Sequence, residues 1–215
     1  MPEPLDLPGG AAAPAGPPSV FLIGMMGAGK TTVGRLLAAT LGYRFLDCDH
    51  EIERRAGVRI TTMFEMEGEA GFRERESALI DELTALPGLV LATGGGAVLR
   101  PQNRRWLHDR GLVVFLEASA HEIARRTRHD TSRPLLLAPD RRARIEALLA
   151  ERLPLYRATA HASFRSAARN PRRLVTAMLA HPALAALAHA PPAAPGAGPG
   201  PGLPADAPPL PAADT

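Results

Sequence analysis

Lysine is all but missing from this chain. Of 25 basic residues in 215, Lys30 is the only lysine, and every other basic position is arginine. Such arginine- and alanine-rich usage follows a compositional bias. A single arginine therefore carries little weight, and the one retained ammonium carries more. Cysteine is equally scarce: Cys48 stands alone, which excludes an internal disulfide and fits a reducing compartment. Aromatic residues make up 4% of the chain, so Leu, Val, Ile and Ala must fill the core. There is also no set of aromatics interleaved with basic residues of the kind that stacks on single-stranded nucleic acid. A net charge of +3 is too small to argue for nucleic acid by itself. No run is long and apolar enough to span a membrane, and the N-terminus lacks the basic start and apolar stretch of a secretory signal. The seven histidines show no metal-ligand spacing, so no zinc site is expected. No internal repeat is present. A cytoplasmic protein, bound neither to membrane nor to nucleic acid, is expected.

Large apolar side chains are also sparse at both ends. Residues 1–17 and 190–215 are rich in Pro, Gly and Ala and offer too little apolar surface to offset the entropy of ordering them, so disordered tails are expected there. The stretch 18–189 is a comfortable size for one domain with one core.

Within that stretch, continuously apolar runs alternate with helical patterns. "SVFLIG" (19–24), "YRFLDCD" (43–49), "LVLAT" (89–93), "LVVFLEA" (112–118) and, more weakly, "HASFRSA" predict five strands. "KTTVGRLLAATLG" places Val33, Leu36, Leu37 and Leu41 at helical spacing and ends on Gly42, a suitable C-cap. "HEIERRAG" and "ITTMFEMEG" predict two short helices, each stopped by glycine, before a longer one over "EAGFRERESALIDELTAL". Further helices are expected over "PQNRRWLHDRG", with proline in its first turn, over "AHEIARRTR", over "RRARIEALLAERLPLYRATA", bent or broken near Pro154, and over "NPRRLVTAMLAHPALAALA". Trp106 sits among helical-face neighbours and is expected to pack. Apolar strands alternating with helices predict an α/β fold with a parallel sheet covered on both faces, whose ligands bind at the carboxyl ends of the strands.

The strongest motif falls at the first such end. Gly24 to Thr31 fits G-x-x-x-x-G-K-[ST], with an apolar strand before it and a helix after it. Glycines let backbone N–H groups turn inward into an anion nest, and the helix N-terminus adds unpaired donors and a positive dipole end. Lys30 supplies a compact charge to β- and γ-phosphates that a wider guanidinium does not match, and Thr31 offers a hydroxyl to Mg²⁺. A tight turn before a helix with an exposed lysine is the competing account. The strand–loop–helix context favours a nucleoside triphosphate.

Three further segments lie at later strand ends. In "DCDHEIE", Asp47 and Asp49 are two apart and share a face if the strand continues, which turns Cys48 the other way; alternatively one of the acids caps the next helix. In "GFRERE", Arg73 and Glu76 share a helix face, an arrangement equally suited to a plain ion pair. In "ATGGGAV", Gly94, Gly95 and Gly96 suggest something packing closely against backbone.

Taken in order, "GMMGAGKTT", "FLDCDHEIE", "EGEAGFRERE", "LATGGGAV", "SRPLL" and "ERLPLYR" strongly resemble the shikimate kinase family, and the resemblance spans about Val20 to Leu179. It implies a P-loop three-layer α/β/α sandwich like the nucleoside monophosphate kinases, with a five-stranded parallel sheet in the order 2-3-1-4-5. It implies phosphorylation of shikimate at its 3-hydroxyl by ATP with Mg²⁺, on the route to aromatic amino acids, by a monomer. Carried over by position, Gly27, Ala28, Gly29, Lys30, Thr31 and Thr32 hold ATP, and Thr31 and Asp47 serve Mg²⁺. Asp49 holds shikimate hydroxyls and assists proton removal. Arg73 and Arg152 meet the shikimate carboxylate, and Gly94, Gly95 and Gly96 lie beside the substrate. Arg133 reaches the transferring phosphate from a lid over about 128–140. Arg126, and Arg169 with Asn170 and Pro171, flank adenine. Another small-molecule P-loop kinase, such as one for gluconate, would also meet a carboxylate and hydroxyls. A nucleotide-dependent binding module is the reading from a different class, and the filled catalytic positions weigh against it.

Overall fold

The computed structural model describes residues 16–128, 140–166 and 170–188. Residues 1–15 of the expected N-terminal tail, the whole of the expected C-terminal tail and nearly all of the expected lid lie outside the described residues; Pro17 is held to the fold by its carbonyl, which accepts from the Gly88 N–H at 2.8 Å.

Five parallel strands form the centre: β1 (Ser19–Ile23), β2 (Arg44–Asp47), β3 (Leu89–Ala92), β4 (Gly111–Glu117) and β5 (Ala162–Arg165). They lie in the order β2-β3-β1-β4-β5, and all four pairings are parallel. The resemblance implied this order. The continuous apolar runs are explained by position. β1 and β3 are buried at every residue, whereas the edge strands β2 and β5 are partly exposed.

Eight helices connect and cover the sheet among the described residues: α1 (Lys30–Leu41), α2 (Cys48–Ala56), α3 (Ile60–Thr84), α4 (Pro101–Arg110), α5 (Ala120–Thr127), α6 (Arg141–Thr159), α7 (Pro171–Leu179) and α8 (Pro182–Ala188). The crossover from β1 to β2 runs one way across the sheet, and those from β2 to β3, β3 to β4 and β4 to β5 run the other way. Right-handed crossovers therefore put α1 on one face and α3, α4 and α6 on the other. α7 packs on α1 and carries α8, which completes the first layer. The chain leaves β1 and β3 in opposite directions, so a crevice opens between their carboxyl ends. The phosphate loop and the glycine run are those two ends.

Several boundaries differ from expectation for identifiable reasons. The strand over 43–49 stops at Asp47, because Asp47 accepts hydrogen bonds from the backbone N–H groups of Asp49 and His50 and so starts α2. Asp47 and Asp49 thus do not alternate along a strand. Cys48 is fully buried, but through a helical turn rather than alternation. Gly57 stops α2 in the left-handed conformation, as expected. The two helices anticipated on either side of Gly68 are one rod, α3, interrupted only at Gly68 with φ 70° and ψ −176°. α6 continues through Pro154. The carbonyl of Ala150 loses its donor there, but both residues are exposed and water can replace it. The last expected helix divides at Pro182, whose missing N–H separates α7 from α8. Trp106 is half-buried against the core, with the Arg110 guanidinium 5.5 Å from its ring centroid.

Candidate active site

The loop after β1 closes around Lys30. Gly29 takes φ 93°, the left-handed conformation that turns the chain into α1, where no L side chain sits without strain. Lys30 is only 9% exposed, and its Nζ donates to the carbonyls of Gly24 at 2.7 Å and Met25 at 2.9 Å. The ammonium is thus folded back across the loop. Ala28 is buried, Gly27 half-buried and Thr32 exposed at the start of α1.

Thr31 Oγ1 donates to Asp47 Oδ2 at 2.7 Å, joining the first turn of α1 to the end of β2. A hydroxyl and a carboxylate side by side are hard oxygen donors of the type Mg²⁺ takes. The other Asp47 oxygen is engaged by the N-terminus of α2, which fixes the carboxylate. Asp49, in that first helical turn, directs its carboxylate at Gly94, where a Cβ would lie 3.0 Å from Asp49 Oδ1.

The glycine run leaves room for charged side chains. A Cβ on Gly94 would also collide with Glu76 Oε1, and one on Gly96 would overlap the Arg73 guanidinium. At Gly95 it would stand 3.2 Å from the Met26 amide nitrogen and 3.7 Å from Arg152 Nη1. Three missing side chains thus let Asp49, Arg73 and Arg152 converge on one backbone segment next to the phosphate loop.

The two arginines are dry, while Asp49 is half-buried. Arg73, from α3, is 7% exposed; its Nη1 donates to Glu76 Oε2 at 2.7 Å and its Nη2 to Glu69 Oε1 at 2.9 Å. Glu76 is fully buried, and burial pushes its carboxyl up against the opposing pull of Arg73. Arg152, from α6, is 2% exposed, and its Nε and Nη1 have no hydrogen-bond partner among the described residues. A buried cation with unpaired donors is costly unless an anion completes it.

On the nucleotide side, α5 brings Arg126 to the loop. Its Nη1 donates to the Gly27 carbonyl at 3.1 Å and to Ser166 Oγ at 3.0 Å, and Ser166 Oγ donates onward to the Ala28 carbonyl. Asn170 caps α7 by accepting from the N–H groups of Arg172 and Arg173, and Pro171 is that helix's first residue. Arg133 and Arg169 lie outside the described residues.

Sequence reasoning saw Glu76 only as an ion-pair partner and did not single out Tyr156 or Ser166. Tyr156 donates to the Gly95 carbonyl at 2.5 Å. The signal for it was the interval of four residues from Arg152, which puts both on one face of α6.

A parallel α/β sheet with a complete phosphate loop at its crevice, facing a dry cationic pocket, defines a P-loop phosphotransferase acting on a small anionic acceptor. A family model described as "Shikimate kinase" matches residues 26–182. The shikimate kinase of Ralstonia nicotianae is 59% identical over 143 residues, covering 66% of this chain and 75% of that protein. That of Nitrosospira multiformis is 51% identical over 174 residues, covering 81% and 89%. The structure of the Acinetobacter baumannii shikimate kinase in complex with shikimate superposes with a TM-score of 0.75 at 47% identity, covering 76% of this chain and 91% of that one. The chain belongs to the shikimate kinase family.

Proposed function

We propose that this chain transfers the γ-phosphoryl group of ATP to the 3-hydroxyl of shikimate, giving shikimate 3-phosphate and ADP on the route to the aromatic amino acids. The observation that carries the reading is the buried Arg152, with two nitrogens lacking a partner among the described residues, beside the glycine run and Arg73. Guanidinium donors match a carboxylate in geometry and charge, and Asp49 beside them is an acceptor for hydroxyls.

The division of labour follows from the donor sets. Arg152 and Arg73 hold the carboxylate while Gly94, Gly95 and Gly96 leave space for the ring. Asp49 accepts from the acceptor hydroxyls and takes the proton of the 3-hydroxyl as its oxygen bonds to the γ-phosphorus. The bond from that phosphorus to the β–γ bridging oxygen breaks, and ADP leaves. Gly27, Ala28, Gly29, Thr32 and the ammonium of Lys30 neutralise the phosphates, which is most of what phosphoryl transfer requires. The Thr31–Asp47 pair suits Mg²⁺, which when bound supplies further positive charge to the β- and γ-phosphate oxygens. Arg126 borders the nucleotide. Arg133 and Arg169 are assigned to the transferring phosphate and to adenine on the family pattern alone. The working unit is the segment 18–189, a cytoplasmic monomer. No helix among the described residues is long and apolar enough to cross a membrane.

The test is ADP release in a coupled assay with no acceptor, with shikimate and with gluconate. Release that depends on shikimate is expected. Release that depends on gluconate, or that ignores both acceptors, would sink the assignment.

A further inference from the structure

We propose that Tyr156 is a positioning residue for acceptor binding: its hydroxyl holds the Gly95 carbonyl and the Arg152 guanidinium in one geometry, so that the unpartnered nitrogens of Arg152 are presented to the acceptor's carboxylate. The inference rests on the acceptor proposed above.

The tyrosine is fixed from three sides. It lies one helical turn beyond Arg152 on α6, so the two side chains leave the same face. Its ring stacks on Phe115 of β4, with centroids 5.0 Å apart and planes at 19°. Its hydroxyl donates to the Gly95 carbonyl at 2.5 Å across 61 residues of sequence. The side chain is fully buried, so no water can take over from a missing hydroxyl.

What the hydroxyl touches makes this more than packing. Once its proton is given to Gly95, the phenol oxygen has lone pairs left and no further donor. Arg152 comes to the same place, since its Nη1 lies 3.7 Å from where a Cβ on Gly95 would stand, at the residue whose carbonyl the hydroxyl holds. Burial pushes this hydroxyl above the usual phenol range, and the charge of Arg152 pulls it back down. Gly95 in turn is wedged against the phosphate loop, since a Cβ there would lie 3.2 Å from the Met26 amide nitrogen and 3.7 Å from the Gly24 carbonyl oxygen. One hydroxyl thereby sets the carboxylate clamp relative to the loop that holds the donor phosphates. Arg73 has a separate support in Glu76 and Glu69. Among the described residues no ion pair holds Arg152, and its place beside Gly95 leaves the Tyr156 hydroxyl to orient it.

Tyr156→Phe keeps the ring and its stack on Phe115. Calorimetric titration of this variant with shikimate is expected to show binding weakened about 10- to 150-fold, the range for losing one hydrogen bond to a charged group. Affinity for a non-hydrolysable ATP analogue should stay near wild type, while the melting temperature should fall by about a few degrees, the mark of one buried carbonyl left without its donor. The second arm uses shikimate methyl ester, which lacks the carboxylate: wild type and Tyr156→Phe should bind it alike. The loss should also vanish in an Arg152→Met background. Wild-type affinity for shikimate in Tyr156→Phe overturns the inference alone, as does an undiminished loss with the ester. Failure of the wild-type protein to bind shikimate overturns the acceptor assignment itself.

Discussion

Glu76 is a carboxylate sealed from solvent, and Arg73 is the cation that keeps it there. Removing one member of such a pair strands the other, at a cost of about 3–5 kcal/mol. Arg73→Ala is therefore expected to lower stability as well as shikimate affinity, and neither measurement alone isolates the acceptor role. Glu76→Gln added to Arg73→Ala removes the stranded charge. The double variant should recover most of the melting temperature in calorimetry while shikimate binding stays weak. Recovery of both would show that Arg73 acts through the fold. At this scale the sequence was legible wherever a residue broke a pattern. The lone lysine announced its loop, and three successive glycines announced a close approach that proved to be by four charged side chains, Asp49, Arg73, Glu76 and Arg152. Asp47 was legible only as an ambiguity, because two acids two apart suit either a strand face or a cap, and backbone hydrogen bonds decided for the cap. Ser166 was not legible, since its partner lies 138 residues away; Tyr156 showed only a shared helix face with Arg152, its Gly95 partner being 61 residues off.

α3 shows what periodicity conceals. A glycine after a helical stretch resembles a stop, yet Gly68 interrupts a helix that resumes at once, and the bidentate Glu67–Arg75 pair, at 2.7 and 2.8 Å, ties the two sides across it. Its φ of 70° with ψ of −176° belongs to a region open essentially to glycine alone, and no atom lies within 4 Å of where a Cβ would stand. Gly68→Ala therefore meets a backbone penalty of about 1–3 kcal/mol and no steric one. Straightening the break re-aims the part of α3 that carries Arg73. The expected result is a raised KM for shikimate with KM for ATP unchanged, read from steady-state kinetics with each substrate varied. A parallel rise in both would place the effect outside the acceptor side. Pro154 and Pro182 teach the same lesson in reverse. One proline is absorbed on an exposed helix face and the other divides a helix, and local sequence does not separate the two cases.

The sheet separates chemistry from stability. Every candidate site residue described lies toward the carboxyl ends of the strands, while His108 and His161 stack at the opposite edge with ring centroids 4.3 Å apart. His161 Nδ1 accepts from the Val113 N–H at 2.9 Å, which requires that nitrogen to be unprotonated. Burial lowers the His161 pKa, His108 lowers it further, and Asp109 opposes them. The unfolded chain therefore binds this proton more readily, so stability is intact above the ordinary imidazole range and falls as pH drops through it toward the folded value. Melting temperatures between pH 8 and 5 should decline on the acid side. His161→Asn, which offers an acceptor without a titrating ring, should flatten that slope; an unchanged slope would assign the decline to other groups. The parallel sheet itself was legible from its apolar strands, but its strand order was not, because buried strands look alike and only the resemblance ordered them. The arginine-only composition has a consequence for covalent labelling. An amine acylating reagent meets a single ε-amine in the chain, and it lies in the phosphate loop. Apart from the terminal amine, label incorporated and activity lost should rise one for one in intact-mass and rate measurements, and bound ATP should protect against both.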